Sequence, residues 1–217
     1  GIPHRLVIGD RALGWTATEI AVRGREAMAG LLENGVLPVI KHLPGHGRAL
    51  HDSHLELPRV SASLADLRKV DFPPFLSMRD APLGMTAHVV YEAIDPDHCA
   101  TLSKAVLDMI RTELGFDGLL MTDDLGMKAL TGSMSERGSK ALDAGCDVVL
   151  HCSGEMDEMQ ELAPAAPALS GLALARAERA ADVRKLSDAL AYEKLLEARE
   201  GEALAELDNK TCMDCYT

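Results

Sequence analysis

The chain has 217 residues, 47% of them hydrophobic and only 3% aromatic, and a formal net charge of −12. That length suits one ordinary domain with a tail, built on an aliphatic core in which methionine fills gaps. The charge argues against a phosphate-backbone partner, and no apolar run reaches the roughly 18–20 residues that span a bilayer, so neither a nucleic acid nor a membrane is expected as a partner.

In chain order, residues 16–34 predict a helix, with Thr16 and Glu19 set for a capping box and Gly35 for the stop. The short apolar run 36–41, "VLPVIK", reads as a buried strand. A helix begins within 61–70, and "LGMTAHV" (83–89) is a second strand. The helix 103–114, stopped by Gly115, leads into a third strand, "GLLMTD" (118–123). The helix 133–144, stopped by Gly145, leads into a fourth, "CDVVLH" (146–151). From Gly171 to Glu200 the chain is rich in Ala, Glu and Arg and should be helical, and the last residues should fray. Strand and helix alternate through short turns, the signature of a parallel α/β sheet.

Five cysteines, an odd number without small-domain spacing, fit reduced thiols and a cytoplasmic location. Cys212 and Cys215 form a CxxC pair with no further ligands nearby, so an inert tail is the simpler reading than a metal or redox site.

Each apolar run meets an ionisable group at its carboxyl end: Lys41 and His42, then His88, then Asp123 and Asp124, then His151. In a parallel sheet these ends share one face, and in an α/β barrel that face holds the active site. A lone Asp there would read as a helix cap, but four such ends in register favour a catalytic face. After the first strand comes "KHLPGHGRALHDSH" (41–54), a loop with four histidines around Pro44-Gly45-His46-Gly47. His42, His46, His51, Asp52 and His54 are all candidate metal ligands, although their spacing matches no defined zinc motif. Alternatively, Asp52 and His54, two apart, could project together from an extended loop, the carboxylate fixing the tautomer of an acid/base imidazole. A solvated loop without chemistry is the third reading. Strand alternation does not choose between Asp123 and Asp124.

"KHLPGHGRALHDSH" closely resembles the K-H-[FIL]-P-G-H-G-x4-D-S-H motif of glycoside hydrolase family 3, and within it the bacterial β-N-acetylglucosaminidases of peptidoglycan recycling. "GFDGLLMTDDLGM" (115–127) is similar to that family's nucleophile segment, and "IGDRALG" (8–14) to its arginine-bearing segment. "MTAHVVYEAIDP" (85–96) and "ALDAGCDVVLHC" (141–152) also fit, so the resemblance covers about residues 8–155 in order. It implies a retaining glycosidase that removes terminal β-linked N-acetylglucosamine through a covalent glycosyl-enzyme. Asp123 matches the nucleophile, His54 the general acid/base, and Asp52 the residue that orients it. Arg11, Lys41 and His42 match sugar-binding positions. The expected partner is an N-acetylglucosamine-containing glycan, and no metal or other cofactor is expected.

The family fold is a (β/α)8 barrel of the TIM type, of which four βα units are readable here. The chain therefore reads as an N-terminally truncated barrel, with a catalytic portion at 1–175 and a helical segment and tail at 176–217. Missing strands would expose apolar edges and favour self-association. Two alternatives accompany this reading: a metal-dependent hydrolase built on the His-rich loop, and an inactive fragment that retains a sugar-binding half-site.

Overall fold

The computed structural model describes residues 12–49 and 57–184. Helix α1 spans Ala17–Glu33, and both halves of the capping box form: Thr16 accepts from the Glu19 N–H, and the Glu19 side chain accepts from the Thr16 N–H. Gly35 follows the Asn34 cap with φ of 75°, the left-handed turn that glycine adopts without a steric penalty. Strand β1 spans Val39–Leu43, later than the apolar run predicts. Pro38 supplies no N–H, and the Val36 N–H is held by Leu31 of α1, so ladder pairing begins only at Val39.

Five short elements follow: β2 (Arg59–Val60), α2 (Leu64–Asp66) running into a π-helical turn (Leu67–Asp71), α3 (Pro73–Ser77), β3 (Leu83–Thr86) and β4 (Val90–Tyr91). Then come α4 (Lys104–Thr112), β5 (Leu119–Asp124), α5 (Met134–Ala144), β6 (Val148–Leu150), α6 (Met156–Leu162) and a last helix, α7, described over 171–184. Ser133 and Glu136 give α5 a capping box that the sequence pattern did not single out. Helix α6 and the small β2–β4 pair were not anticipated either, because elements of two to seven residues show too few periods to read.

The four predicted strands form one sheet in the order β1-β3-β5-β6, every pairing parallel, which is the α/β architecture the alternation implies. Leu43, Ala87, Val106, Leu107, Ile110, Leu114, Phe116 and Leu120 are fully or almost fully buried and form its core. At Gly84 on β3 an added Cβ would lie 2.7 Å from Phe116 Cζ and 2.8 Å from Leu43 Cδ1, so glycine is what lets the phenyl ring rest on the strand.

Below the sheet, at the amino ends of β5 and β6, an ion network ties α7 to the core. The Asp147 carboxylate accepts from Arg111 (2.6 Å), Arg176 (2.9 Å) and the Leu120 N–H (2.8 Å). Asp117 accepts from Arg176 and Arg179. Burial lowers the pKa of Arg111, while the Asp147 charge opposes that shift. Among the described residues, no helix is long and apolar enough to cross a membrane.

Candidate active site

The carboxyl ends of β1, β3, β5 and β6 do converge. His42 on β1 points its Nε2 at Asp123 on β5, 3.5 Å from Oδ2, and both side chains are about six-sevenths buried (16% and 15% exposed). The other Asp123 oxygen accepts from the Asp124 N–H at 2.9 Å. Lys41, one position earlier, is exposed, and its charge reaches Cys152 beyond β6. The peptide bonds Lys41–His42 and Leu43–Pro44 are both cis.

The two neighbouring aspartates do different work. Asp124 Oδ1 accepts from the Gly126 N–H at 2.9 Å and from the Cys152 N–H at 3.0 Å, so this carboxylate ties the loop after β5 to the loop after β6. Among the described residues Asp123 makes no such backbone tie to another strand, and it faces the imidazole. The sequence carried a signal for this division, since Asp124-Leu125-Gly126 has the form of an Asx turn.

His88, two residues past the end of β3, is wholly buried. Its Nε2 is 3.0 Å from the Asp124 carbonyl oxygen, which can only accept, so the ring carries its proton there. Its Nδ1 is 2.8 Å from Thr101 Oγ1, which is in turn 2.8 Å from Thr86 Oγ1. Burial pushes the His88 pKa down, while the Asp124 carbonyl and the charges of Asp123 and Asp124 pull it back up. His88 is thus a buried support of the β5 end, with both ring nitrogens engaged.

His151 is engaged by partners of its own loop and of α6. Its Nε2 lies 2.7 Å from Glu158 Oε2 and 3.0 Å from Ser153 Oγ. The bonds from Ser153 and His151 hold the Glu158 carboxyl below its ordinary range. The Cys152 thiol, whose place beside the aspartates the sequence did not flag, is pushed up by burial first and then by the charges of Asp124 and Asp123.

The first half of the His-rich loop is anchored. The buried Tyr91 hydroxyl donates to the Gly45 carbonyl, and Arg48 Nε donates to Asp71 at 2.7 Å. The rings of His42 and His46 lie 5.4 Å apart, tilted by 58°. Asp52 and His54, and likewise His51 and Arg11, lie outside the described residues, as do Cys212 and Cys215. Among the described residues no three His, Cys, Asp or Glu side chains are gathered as a metal site.

A parallel α/β sheet of the barrel class, with carboxylate and imidazole facing each other at its strand carboxyl ends, defines the class of protein. Within that class the chain belongs to glycosyl hydrolase family 3: the model of that family's N terminal domain matches residues 3–187. A beta-hexosaminidase of Nitrosomonas eutropha is 42% identical over 160 residues, which are 72% of this chain and 46% of that protein. A beta-hexosaminidase of Alkalilimnicola ehrlichii is 41% identical over 151 residues, 68% of this chain and 43% of that protein. The chain thus spans about half the length of the curated relatives it matches. Among solved structures, a family 3 beta-N-acetylglucosaminidase from Paenibacillus sp. FPU-7 superposes with a TM-score of 0.72 at 32% identity, covering 88% of this chain and 38% of that one. NagZ from Neisseria gonorrhoeae gives a TM-score of 0.69 at 31% identity, covering 85% and 58%. The fold is accordingly that of the family's TIM-barrel-like α/β domain.

Proposed function

We propose that this chain carries the catalytic centre of a retaining β-N-acetylglucosaminidase that removes terminal β-linked N-acetylglucosamine from cell-wall glycan fragments in the cytoplasm. The observation that carries the reading is the division of labour at the end of β5. Asp124 is bound to two loop N–H groups, whereas Asp123 presents its carboxylate to His42 on the neighbouring part of the sheet. A nucleophile needs a positioned carboxylate not consumed by structural bonds, and Asp123 fits that need.

In the proposed reaction an Asp123 oxygen attacks the anomeric carbon while the glycosidic bond breaks. His54 gives its proton to the departing oxygen, so an imidazole does the work that a second carboxyl does in most retaining glycosidases. His54 then takes a proton from water, whose oxygen attacks the anomeric carbon and releases Asp123. Asp52 orients the imidazole and supports its protonated form. Arg11, Lys41 and His42 supply donors and positive charge to hydroxyl and acetamido oxygens. The relatives named beta-hexosaminidase and beta-N-acetylglucosaminidase support the substrate class.

The test is turnover of a chromogenic N-acetylglucosaminide with and without a chelator. Chelator-resistant release supports the proposal. Chelator-sensitive release favours a metal-dependent hydrolase, and sugar binding without release favours a sugar-binding half-site.

A further inference from the structure

We infer that His88 is a positioning residue for Asp123: by holding the Asp124 carbonyl it fixes the backbone of Asp124, whose N–H grips the Asp123 carboxylate. The inference rests on the reading of Asp123 as the nucleophile and adds a residue to that same site. Among the described residues the ladder between β3 and β5 runs from Leu83–Leu119 to Met85–Met121, while β5 continues to Asp124. On the other flank, the ladder to β6 is irregular between Met121 and Asp124. The end of β5 therefore lacks the regular backbone pairing that holds its first half. The His88 ring makes the missing link from the β3 side, its Nε2 donating to the Asp124 carbonyl at 3.0 Å.

The ring that makes this link is itself held. The Ala87 N–H donates to the Leu43 carbonyl of β1 at 2.9 Å, and the Ala100 N–H donates to the Val89 carbonyl at 2.8 Å, so the backbone on both sides of His88 is clamped. Thr101 Oγ1, 2.8 Å from Nδ1, pins the far side of the ring. The Asp124 carbonyl also accepts from the Met127 N–H at 3.2 Å, so it would keep a partner without His88. Satisfying that carbonyl thus does not require an imidazole, and burying one is costly unless its nitrogens are bonded. What the ring adds is a fixed direction across the gap between β3 and β5. Asp124 is gripped at its carbonyl by His88, at its carboxylate by the Gly126 and Cys152 N–H groups, and at its own N–H by Asp123 Oδ1. The last bond sets the rotation of the Asp123 carboxylate and leaves Oδ2 on the His42 side, 3.5 Å from Nε2. A displacement of about 1 Å at a reacting group can cost about 100-fold in rate, so slack at Asp124 reaches the chemistry.

His88→Leu and His88→Gln in the 217-residue chain test it, read by amide hydrogen exchange and by covalent labelling with a slow fluorinated sugar. Leucine fills the space without a donor, whereas glutamine returns an N–H at a reach close to that of Nε2. In His88→Leu the Asp124 amide should exchange about ten-fold or more faster, while the Leu120 amide, held by Asp147 at the other end of β5, keeps its rate. Both kcat and the labelling rate should fall about 100-fold with KM within about three-fold, and labelling should still reach every chain. His88→Gln should recover at least about ten-fold of that loss. A purely structural role would instead lower the labelled fraction in step with kcat, and that result overturns the inference. So does an Asp124 amide that His88→Leu leaves unchanged, or a glutamine variant no better than the leucine one. If His88→Leu does not fold, Thr101→Val, which frees one side of the ring, decides: a faster Asp124 amide and slower, complete labelling support the inference, and parental values overturn it. An inactive, unlabelled parent whose Asp124 amide still responds to these substitutions sinks the functional proposal and leaves the grip of His88 on Asp124 standing. An active parent whose variants keep both the amide and the rate does the reverse.

Discussion

Replacing Asp124 with alanine removes the acceptor of two backbone N–H groups, those of Gly126 and Cys152, at 2.9 and 3.0 Å. Hydrogen bonds to a charged acceptor contribute about 1.5–3 kcal/mol each. Cys152 is exposed, so water can replace part of what its N–H loses, and the lower end applies. The expected loss for Asp124→Ala is therefore about 3 kcal/mol, a large share of the roughly 5–15 kcal/mol that holds an ordinary domain. Asp124→Asn keeps an amide oxygen in the same place and should cost only about 1–2 kcal/mol, with turnover within about ten-fold of the parent. Asp123→Asn retains the bond from the Asp124 N–H, so its stability should change by less than about 1 kcal/mol. Its turnover should vanish, because an amide cannot form the glycosyl ester. Urea denaturation at fixed protein concentration gives the stabilities. A slow fluorinated sugar followed by peptide mapping gives the labelled residue. An Asp124→Ala variant as stable as the parent would refute the structural role of Asp124. A label on Asp124, or parental turnover in Asp123→Asn, would refute the chemical role of Asp123.

His54→Ala should slow poor leaving groups far more than activated aryl ones, with Asp52→Asn reproducing part of the defect; equal slowing across leaving-group pKa would make His54 a contact instead of the acid. Asp147→Ala should destabilise the fold by about 3–5 kcal/mol, because the half-buried Arg111 is left without its carboxylate, and chemical denaturation checks this. Turnover should survive exhaustive treatment with a chelator, as release assays before and after dialysis will show. Stability should also fall as the pH drops through the acidic window that opens at about 6.5, the ordinary histidine value. Burial holds the folded pKa of His88 below the unfolded value of about 6.5, so its contribution is present above that value and is lost as the pH falls. Thermal melts of His88→Gln should show a flatter slope in that window, and an unchanged slope would assign the acid sensitivity elsewhere.

The sheet was legible because its strands are short apolar runs punctuated by glycines, and because α1 and α4 have enough turns for their apolar spacing to show. Helix α3 was hidden by its brevity and by Pro73 and Pro74, which read as breakers although proline is tolerated in the first turn of a helix. The meeting of His42 with Asp123 was legible only as a shared face, since their sequence separation says nothing of the 3.5 Å between them. What alternation could not supply was the choice between Asp123 and Asp124, which depends on where loop N–H groups fall after β6. The supporting roles of His88 and His151 follow from partners on other elements, Thr101 and Glu158, that no local pattern names.

The bond from the Leu120 N–H to Asp147 sits at the opposite end of β5 from Asp123 and Asp124, yet it bears on which of the two faces His42. Successive side chains on a strand point to opposite faces, so a slip of one residue along β5 would exchange the surroundings of Asp123 and Asp124. The ladder is already irregular between Met121 and Asp124, where β5 meets β6, so the strand's carboxyl end alone holds its register weakly. Asp147 is clamped from two sides by Arg111 and Arg176 and grips β5 at Leu120, which fixes the count of residues from that anchor to Asp123. The network at the foot of the sheet thus acts as a phase reference for the end that carries Asp123 and Asp124. A substitution there should change which aspartate faces His42 without touching either of those side chains.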